Sequence, residues 1–453
     1  MEMTEFKYLI FFMTLIVGVP LGYLCCLRSK SCEKLVFFLV IFFTCDMLDI
    51  NFVSIETYRG TTRGFEFGMV DISLYILLAL VIKRRHRLPI DWFPIGSTLY
   101  LLYFSLSLLS TINSDIGIYS SFEILKMCRM YIYFWTIANY LRNEQQLHWL
   151  MINIGIIIFY IFLSVMKQKY LLGVFQCTGP FSHQNSLVMY ISIFGAMAHA
   201  YLLNVAGSRS WLWFTIFGMA SICILATLSR AGLALFILNS LMVFTISMMS
   251  KQSDTKVRKR HLILLIILPI AGTLVLIKAS DTIIERFISA PVESKLSRVQ
   301  LAKAAVNMAN DKVLGVGLNN FALKINPPYP YSAHIPMYDK DDPDETHGLV
   351  ETVYLMVAAE TGWLNLAVFI TFLLFFYFKN IINYFRFKGS QSRFICIALI
   401  AALTCIYLQS TLEWVLKQTN NFYQLMLVFA VIATMDRMTR TGVTNGQAKR
   451  KRC

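Results

Sequence analysis

The sequence has 453 residues, of which 57% are hydrophobic and only 15% are charged, and its mean hydropathy is +0.59. Soluble globular proteins carry roughly 25% charged residues. The composition therefore argues against a soluble enzyme, a disordered regulator or a nucleic-acid-binding module. The formal net charge of +15 comes mainly from short basic clusters between apolar runs. That pattern is typical of membrane topology rather than of nucleic-acid binding.

Apolar runs of about the length that spans a bilayer recur along the chain. They fall near 8–26, 35–50, 67–82, 95–111, 121–141, 148–167, 187–205, 211–228, 231–249, 261–278, 350–378, 393–411 and 421–436. Helices are the spanning element that fits, because lipid offers no partner to open backbone groups. The sequence thus predicts an all-α protein, a polytopic transmembrane helical bundle of about 12–13 spans.

The basic clusters fix the orientation of the predicted spans, because Lys and Arg in short loops favour the cytoplasmic side. With the cluster at 251–260 inside, the segment 83–91 is also inside, and 112–120 and 279–349 are outside. The predicted segments are N-terminal transmembrane helices 1–170, central helices with outer-face motifs 171–278, a large periplasmic loop 279–349, C-terminal helices 350–436 and a basic cytoplasmic tail 437–453.

The outer loop 279–349 is too long to be a mere connector. Its first half is predicted to be a helix over 294–310, because residues recur at near-helical spacing. These residues are Leu296, Val299, Ala302, Lys303 and Val306. A Gly-Val-Gly turn at 315–317 follows, then a proline-rich stretch at 327–330. An ordered outer loop of this kind is expected to carry function.

Two arginines at the predicted outer face are candidates for binding an anion. Arg230 lies in the hairpin between two spans, and Arg298 lies on the predicted loop helix. Charged groups at span ends are energetically expensive, and an arginine can form paired hydrogen bonds to phosphate oxygens. The alternatives are an interfacial side chain that reaches for water at Arg230 and a solvated helix charge at Arg298.

The end of the outer loop supplies candidate bases. His347 and Glu351 are four residues apart, and this spacing predicts that they share one helical face. A histidine that titrates near neutrality at the membrane surface can act as a general base. The alternative is a helix cap or an interfacial polar group.

Four further residues are possible substrate contacts. His183 and Asn185 lie in the segment 179–186, just before a predicted span. The alternative interpretation of this segment is a turn in which Asn185 or Ser186 caps the helix. Arg59 and Arg63 lie in an outer loop, where they join an anion site or are merely solvated.

Three charged residues, Glu123, Lys126 and Arg129, lie at three-residue spacing within a predicted span. They either neutralise one another on the helix or form an interior site for a charged lipid head, and the sequence favours neither. The cysteines and histidines show no metal-like spacing, so no metal site and no cofactor are predicted.

Several motifs in order resemble the O-antigen ligase and polymerase superfamily. They are Gly-Pro-Phe-Ser-His-Gln-Asn at 179–185, Leu-Ser-Arg-Ala-Gly at 228–232, Ser-Arg at 297–298, Leu-Gly-Val-Gly-Leu-Asn-Asn-Phe at 314–321, and His347 followed by Ala-Glu-Thr-Gly at 359–362. The similarity covers roughly residues 170–380. Each motif is loose, and it is their order around a long outer loop that is specific.

The resemblance implies a glycosyltransferase at the periplasmic face of the bacterial inner membrane. Its donor would be a glycan on undecaprenyl diphosphate, and its acceptor another glycan or lipid A core. Arg230 and Arg298 would hold the diphosphate and stabilise its charge as it leaves. His347 would take the acceptor's proton, and a single displacement would invert the anomeric carbon.

One departure from the ligase-type pattern leaves the base open. In that pattern the His is followed by Asn, Ser or Gln, with a Gly about ten residues on. Here Gly348 follows His347, and Gly362 is fifteen residues beyond it. Aligning on Gly362 instead moves the base to Glu351. This departure tilts the prediction toward a polymerase, with a ligase as the alternative.

A polytopic glycolipid flippase or transporter is the alternative from another class. A transporter predicts paired internal repeats and interrupted helices. The sequence contains no convincing repeat, and its key charges cluster at one predicted surface.

Overall fold

The computed structural model describes residues 3–205, 209–250, 292–335, 347–388 and 390–440. The basic cluster 251–260, the predicted span 261–278 and the acidic run 339–345 lie outside these residues. The described chain is helical with almost no sheet, which confirms the predicted all-α class.

The first half of the chain contains helices α1 (Met3–Met13), α2 (Val19–Arg28) and α3 (Lys30–Phe42), strands β1 (Asp49–Ser54) and β2 (Gly64–Gly68), and helices α4 (Met69–Lys83), α5 (Ser97–Ser110), α6 (Gly117–Tyr140), α7 (Glu144–Met166) and α8 (Gln184–Asn204). The second half adds α9 (Arg209–Thr227), α10 (Arg230–Met249), α11 (Val292–Asp311), α12 (Phe321–Lys324), α13 (Val353–Arg386), α14 (Ser392–Gln409) and α15 (Thr419–Arg440). Single turns of 3-10 helix occupy Arg84–His86, Thr111–Asn113, Pro330–Ser332 and Val415–Lys417, and π-helical turns occupy Thr14–Gly18 and Lys167–Leu171.

Seven helices within the described residues are long and apolar enough to cross a membrane. They are Tyr8–Arg28, Glu144–Leu171, Gln184–Asn204, Ser210–Thr227, Arg230–Met249, Val353–Arg386 and Ser392–Gln409. Helices α4 and α5 coincide with predicted runs but have only 15 and 14 residues. The chain is thus a polytopic helical membrane protein, and the exact number of spans stays a prediction.

The predicted run 35–50 does not form one helix. Helix α3 ends at Phe42, and the end of the run enters strand β1. Strand β1 pairs antiparallel with β2, with Asp49 opposite Gly68. Residues 49–54 form a strand rather than a helix because they pair with β2. The apolar pattern of the run is local and does not reveal this partner.

The described chain forms two compact units, each discontinuous in sequence. Of the described residues, the first unit takes in those within 3–153, 298–379 and 410–440, and the second takes in those within 154–297 and 380–409. In the second unit α8 is the central helix, since its residues 185–203 are all buried and it packs against α9, α10 and α14. A helix that is apolar all round requires such burial.

Segments of the first unit that the sequence assigns to one side of the membrane lie together. On the predicted outer side, Asn113 Nδ2 donates a hydrogen bond of 2.7 Å to the carbonyl of Gly315. On the predicted inner side, Arg84 and Glu33 form an ion pair of 2.7 Å. These contacts join segments that are distant in sequence, and the orientation of the spans stays a prediction.

The predicted loop helix is confirmed as α11, but the residues whose spacing predicted the helix are not the ones that it buries. The buried residues are Leu301, Ala304, Ala305 and Met308. By contrast, Leu296 and Val299 are 55% and 61% exposed. The buried face packs on a small core with Phe321 and Val350. Packing against this core therefore buries a stripe of α11 that lies next to the residues whose spacing predicted the helix.

Candidate active site

A break in α13 organises the predicted outer side of the first unit. Gly362 interrupts the helix with φ +86° and ψ 163°, a conformation open essentially to glycine. The carbonyls of Ala359 and Glu360 then accept hydrogen bonds from the amides of Val316 (2.8 Å) and Gly317 (3.0 Å). The Gly-Val-Gly turn therefore caps the first segment of α13.

The break gives a prediction for stability. A Cβ at Gly362 would meet the carbonyl group of Val313, with its carbon at 3.0 Å. We expect Gly362→Ala to lower the free energy of unfolding by about 1–3 kcal/mol. Gly348→Ala is the control, because a Cβ there would meet nothing within 4 Å. Chemical denaturation of both variants in detergent tests this, and equal stabilities would contradict it.

Asn319, in the motif at 314–321, joins three segments of the first unit. Its side chain accepts from the amide of Thr61 at 3.0 Å and donates to the carbonyls of Thr62 at 2.9 Å and Tyr119 at 2.8 Å. Its backbone has φ +54°, which asparagine tolerates better than most residues. This motif residue thus fixes the loop between β1 and β2 against the start of α6.

The two arginines of that loop, Arg59 and Arg63, are exposed. Neither forms an ion pair with a described residue. Their part in an anion site stays a prediction.

Four charged side chains form a buried network beneath this loop. Lys417 lies 2.8 Å from Glu360 and 3.7 Å from Glu123, and Glu123 lies 2.6 Å from Lys126. All four are nearly inaccessible to solvent. The two cations balance the two carboxylates, and Glu360 and Glu123 raise the pKa of Lys417 although burial opposes this. Contact with two carboxylates therefore favours the charged form of Lys417.

Arg129 belongs to a separate buried pair. Its guanidinium lies 2.6 Å from Asp71, which also accepts a hydrogen bond of 3.2 Å from the Tyr423 hydroxyl. The three charged residues of α6 are therefore neutralised by protein partners, and they do not form an open site for a lipid head.

Arg298, on α11, lies between two carboxylates. Its Nη2 atom is 2.7 Å from Glu351 Oε2 and 3.7 Å from Glu413 Oε1. The side chains of Arg298 and Glu351 are 45% and 34% exposed, so an incoming ligand can reach both. Burial raises the pKa of Glu351 above its ordinary value, although the guanidinium of Arg298 pulls it in the opposite direction.

Glu413 was not predicted from the sequence. It follows α14, four residues before Lys417. The carbonyl of Ser410 accepts a hydrogen bond of 3.1 Å from the amide of Val353, which ties this segment to the start of α13. A carboxylate just beyond a predicted span was the signal that could have drawn attention to it.

His347 lies in the same unit, at the start of the described segment that leads into α13. Its backbone amide donates a hydrogen bond of 2.8 Å to Asn326 Oδ1. The predicted helical face shared with Glu351 is wrong, because α13 begins only at Val353 and 347–352 is not helical.

The second unit brings two of the predicted motifs together. Ser229 Oγ accepts from the amide of Gly232 at 3.2 Å and donates to Asn185 Oδ1 at 2.9 Å. Arg230 is the first residue of α10 and is half-buried. The cap of α8 is His183, whose ring accepts from the amide of Asn185 at 3.2 Å. The cap predicted for this segment is therefore present, but at His183 rather than at Asn185 or Ser186.

The apolar helices, the ordered outer-loop core and the charged site at Arg298 define a polytopic membrane protein with a solvent-accessible anion-binding candidate. Residues 214–370 match the family model described as O-antigen ligase. This match supports membership of the O-antigen ligase and polymerase superfamily and a membrane enzyme of that general type. No curated protein matches the chain.

The matched residues contain four of the predicted site residues, Arg230, Arg298, His347 and Glu351. The motif at 179–185 and the carboxylate of Glu413 lie outside the match. The resemblance inferred from the motifs is confirmed, whereas the role of each residue stays a proposal.

Proposed function

We propose that the protein is an inner-membrane glycosyltransferase that polymerises surface polysaccharide at the periplasmic face. Its donor is a glycan carried on undecaprenyl diphosphate, and its acceptor is a second lipid-linked glycan. The observation that supports this best is the contact of 2.7 Å between the partly exposed side chains of Arg298 and Glu351. An anion-binding group and a base of raised pKa lie side by side, as a displacement of diphosphate requires.

Arg298 is the proposed diphosphate contact. A diphosphate carries more charge than the Glu351 carboxylate and suits the planar fork of the guanidinium. On donor binding, the guanidinium therefore exchanges Glu351 for phosphate oxygens. Glu413, at 3.7 Å, remains to orient it. The positive charge then stabilises the negative charge that develops on the leaving diphosphate.

Glu351 is the proposed base, because donor binding removes its cationic partner and so increases the affinity of the carboxylate for the acceptor's proton. The acceptor hydroxyl transfers its proton to Glu351 while its oxygen bonds to the anomeric carbon. The bond from that carbon to the diphosphate oxygen breaks, and the diphosphate leaves with the electron pair. His347, in the same segment, is the competing base.

The choice of base gives a pH prediction. A carboxylate acts as a base only when ionised, so the transfer rate should fall as the pH drops through the raised pKa of Glu351. Glu351→Gln should then lower the rate by about 100- to 10,000-fold, and His347→Ala by less. If His347 is the base, His347→Ala should instead give the larger loss. Rate profiles of the purified variants distinguish the two residues.

Arg230 is also proposed to contact diphosphate, as the motif that contains it implies. It stands at the N-terminus of α10, where free backbone amides also favour an anion. A cation there is unfavourable for the helix by about 0.3–1 kcal/mol. Arg230→Gln should therefore lower transfer by about 100-fold or more without loss of stability. Lys167→Gln, on the same predicted side, is the control, and parallel loss of stability and activity in Arg230→Gln would contradict this role.

The transporter alternative is less well supported, although α13 is interrupted. In transporters the freed groups of a broken helix coordinate substrate or ions. Here the carbonyls of Ala359 and Glu360 are bonded by backbone amides, and the Glu360 side chain is paired with Lys417. These polar groups at the break therefore already have partners within the protein.

The size profile of surface and lipid-linked glycan tests the proposed function. A deletion strain is complemented with the wild-type protein or with Arg298→Ala. Single repeat units on the final carrier mean a polymerase. Full-length glycan that accumulates on undecaprenyl diphosphate means a ligase that transfers to lipid A core. Repeat units retained in the cytoplasmic leaflet, with full complementation by Arg298→Ala, would overturn the enzyme in favour of a transporter.

A further inference from the structure

A basic cavity lies in the first unit, at the end opposite to the Arg298 site in the predicted topology. Its volume is about 540 Å³, and its lining includes four cationic side chains. These are Lys30, Lys34, Arg84 and Arg87. Arg84 and Arg87 belong to the segment 83–91, which the sequence assigns to the cytoplasmic side. The candidate base and diphosphate contacts are not among the lining residues.

The cations of the cavity are only partly neutralised. Arg84 forms a bidentate ion pair with Glu33, in which Nη1 and Nη2 lie 2.7 and 2.8 Å from the two carboxylate oxygens. Within the described part of the chain, Lys30, Lys34 and Arg87 form no ion pair. The lining therefore carries four positive charges against one carboxylate, and such a cavity selects an anion.

Aromatic and apolar side chains indicate that the cavity lies near the boundary between lipid and water. Lys34 Nζ lies 3.7 Å from the centre of the Trp149 ring, which also lines the cavity, and buried Phe37 contributes an apolar wall. Beyond Arg87, Trp92 and Phe93 are 63% and 70% exposed. Exposed aromatic side chains are typical of the boundary between lipid and water.

We propose that this cavity binds the headgroup of an anionic phospholipid of the cytoplasmic leaflet. The phosphate contacts Lys30, Lys34 and Arg87. The ion pair between Glu33 and Arg84 holds α3 against the end of α4 and so stabilises one wall of the cavity. The position at the lipid boundary favours a phospholipid over a soluble phosphate. Basic pockets between helices on the cytoplasmic side suit such headgroups. This inference is independent of the proposed glycosyltransferase activity.

The test measures lipid retained by the full-length purified protein. Wild type and Lys30→Gln/Lys34→Gln/Arg87→Gln are placed in nanodiscs of phosphatidylcholine with increasing phosphatidylglycerol, and bound lipid is counted by native mass spectrometry. The matched control is Arg28→Gln/Lys83→Gln/Arg85→Gln, which removes three charges from the same segments but none from the cavity lining. Single variants Lys34→Gln and Arg87→Gln serve if the triple variant fails to fold.

We expect the cavity variant to bind phosphatidylglycerol on the order of 100-fold more weakly, about fivefold for each cation removed. The control should retain the lipid. Equal retention by wild type and cavity variant, or equal loss in the control, would overturn the proposal. Displacement of the lipid by millimolar inorganic pyrophosphate would also overturn it, since the site would then take soluble phosphates.

Discussion

Replacing Arg298 with alanine is expected to lower glycan transfer by about 100- to 1,000-fold, the usual loss when one group that stabilises developing negative charge is removed. The Arg298 side chain is 45% exposed, so its loss should leave membrane insertion and folding intact. Transfer by the purified variant, with a lipid-linked glycan as both donor and acceptor, is the measurement.

The expected rescue pattern separates a diphosphate contact from a structural charge. Arg298→Lys should recover little activity, because lysine lacks the planar fork that binds two phosphate oxygens. A charge needed only to hold Glu351 and Glu413 in place would be replaced well by lysine. Lys303→Gln is the matched control, since Lys303 is exposed on the same helix. Full activity in Arg298→Ala would eliminate the diphosphate assignment.

Local patterns in the sequence predicted much of the helical architecture. The apolar run at 187–205 corresponds to α8, and the spacing over 294–310 corresponds to α11. Such elements follow from residue periodicity and length, which are local properties of the chain. The same reasoning missed the break at Gly362, because apolar residues continue on both sides of it and a lone glycine is a weak signal within a run.

The pairings within the candidate site could be predicted only in part. The motifs drew attention to Arg298 and Glu351, but not to their contact or to Glu413, which is distant in sequence from both. Spacing along the chain carries no information on which distant charges meet. The same limit explains why the sequence identifies Glu123 and Lys126 as charged residues in a span but does not identify Lys417, the distant partner of Glu123.

Replacing Lys417 with methionine is expected to lower the free energy of unfolding by about 3–5 kcal/mol, because it leaves the buried carboxylate of Glu360 without its partner. The double variant Lys417→Met/Glu360→Gln should recover much of this loss, since it removes both charges together. Lys303→Met is the exposed control. Unfolding titrations in detergent measure the effect, and an equal loss in the single and double variants would contradict the assignment of a buried pair.

The Lys417 variant also links the network to the candidate active site. Lys417 ends the helical turn Val415–Lys417, which directly follows Glu413 and Trp414, and Glu413 contacts Arg298. Loss of the lysine should therefore displace Glu413 and lower transfer in proportion to the loss of stability. Arg298→Ala should instead lower transfer at full stability. If Lys417→Met lost activity while remaining fully stable, Lys417 would act on the substrate directly, and the network would be part of the chemistry rather than its support.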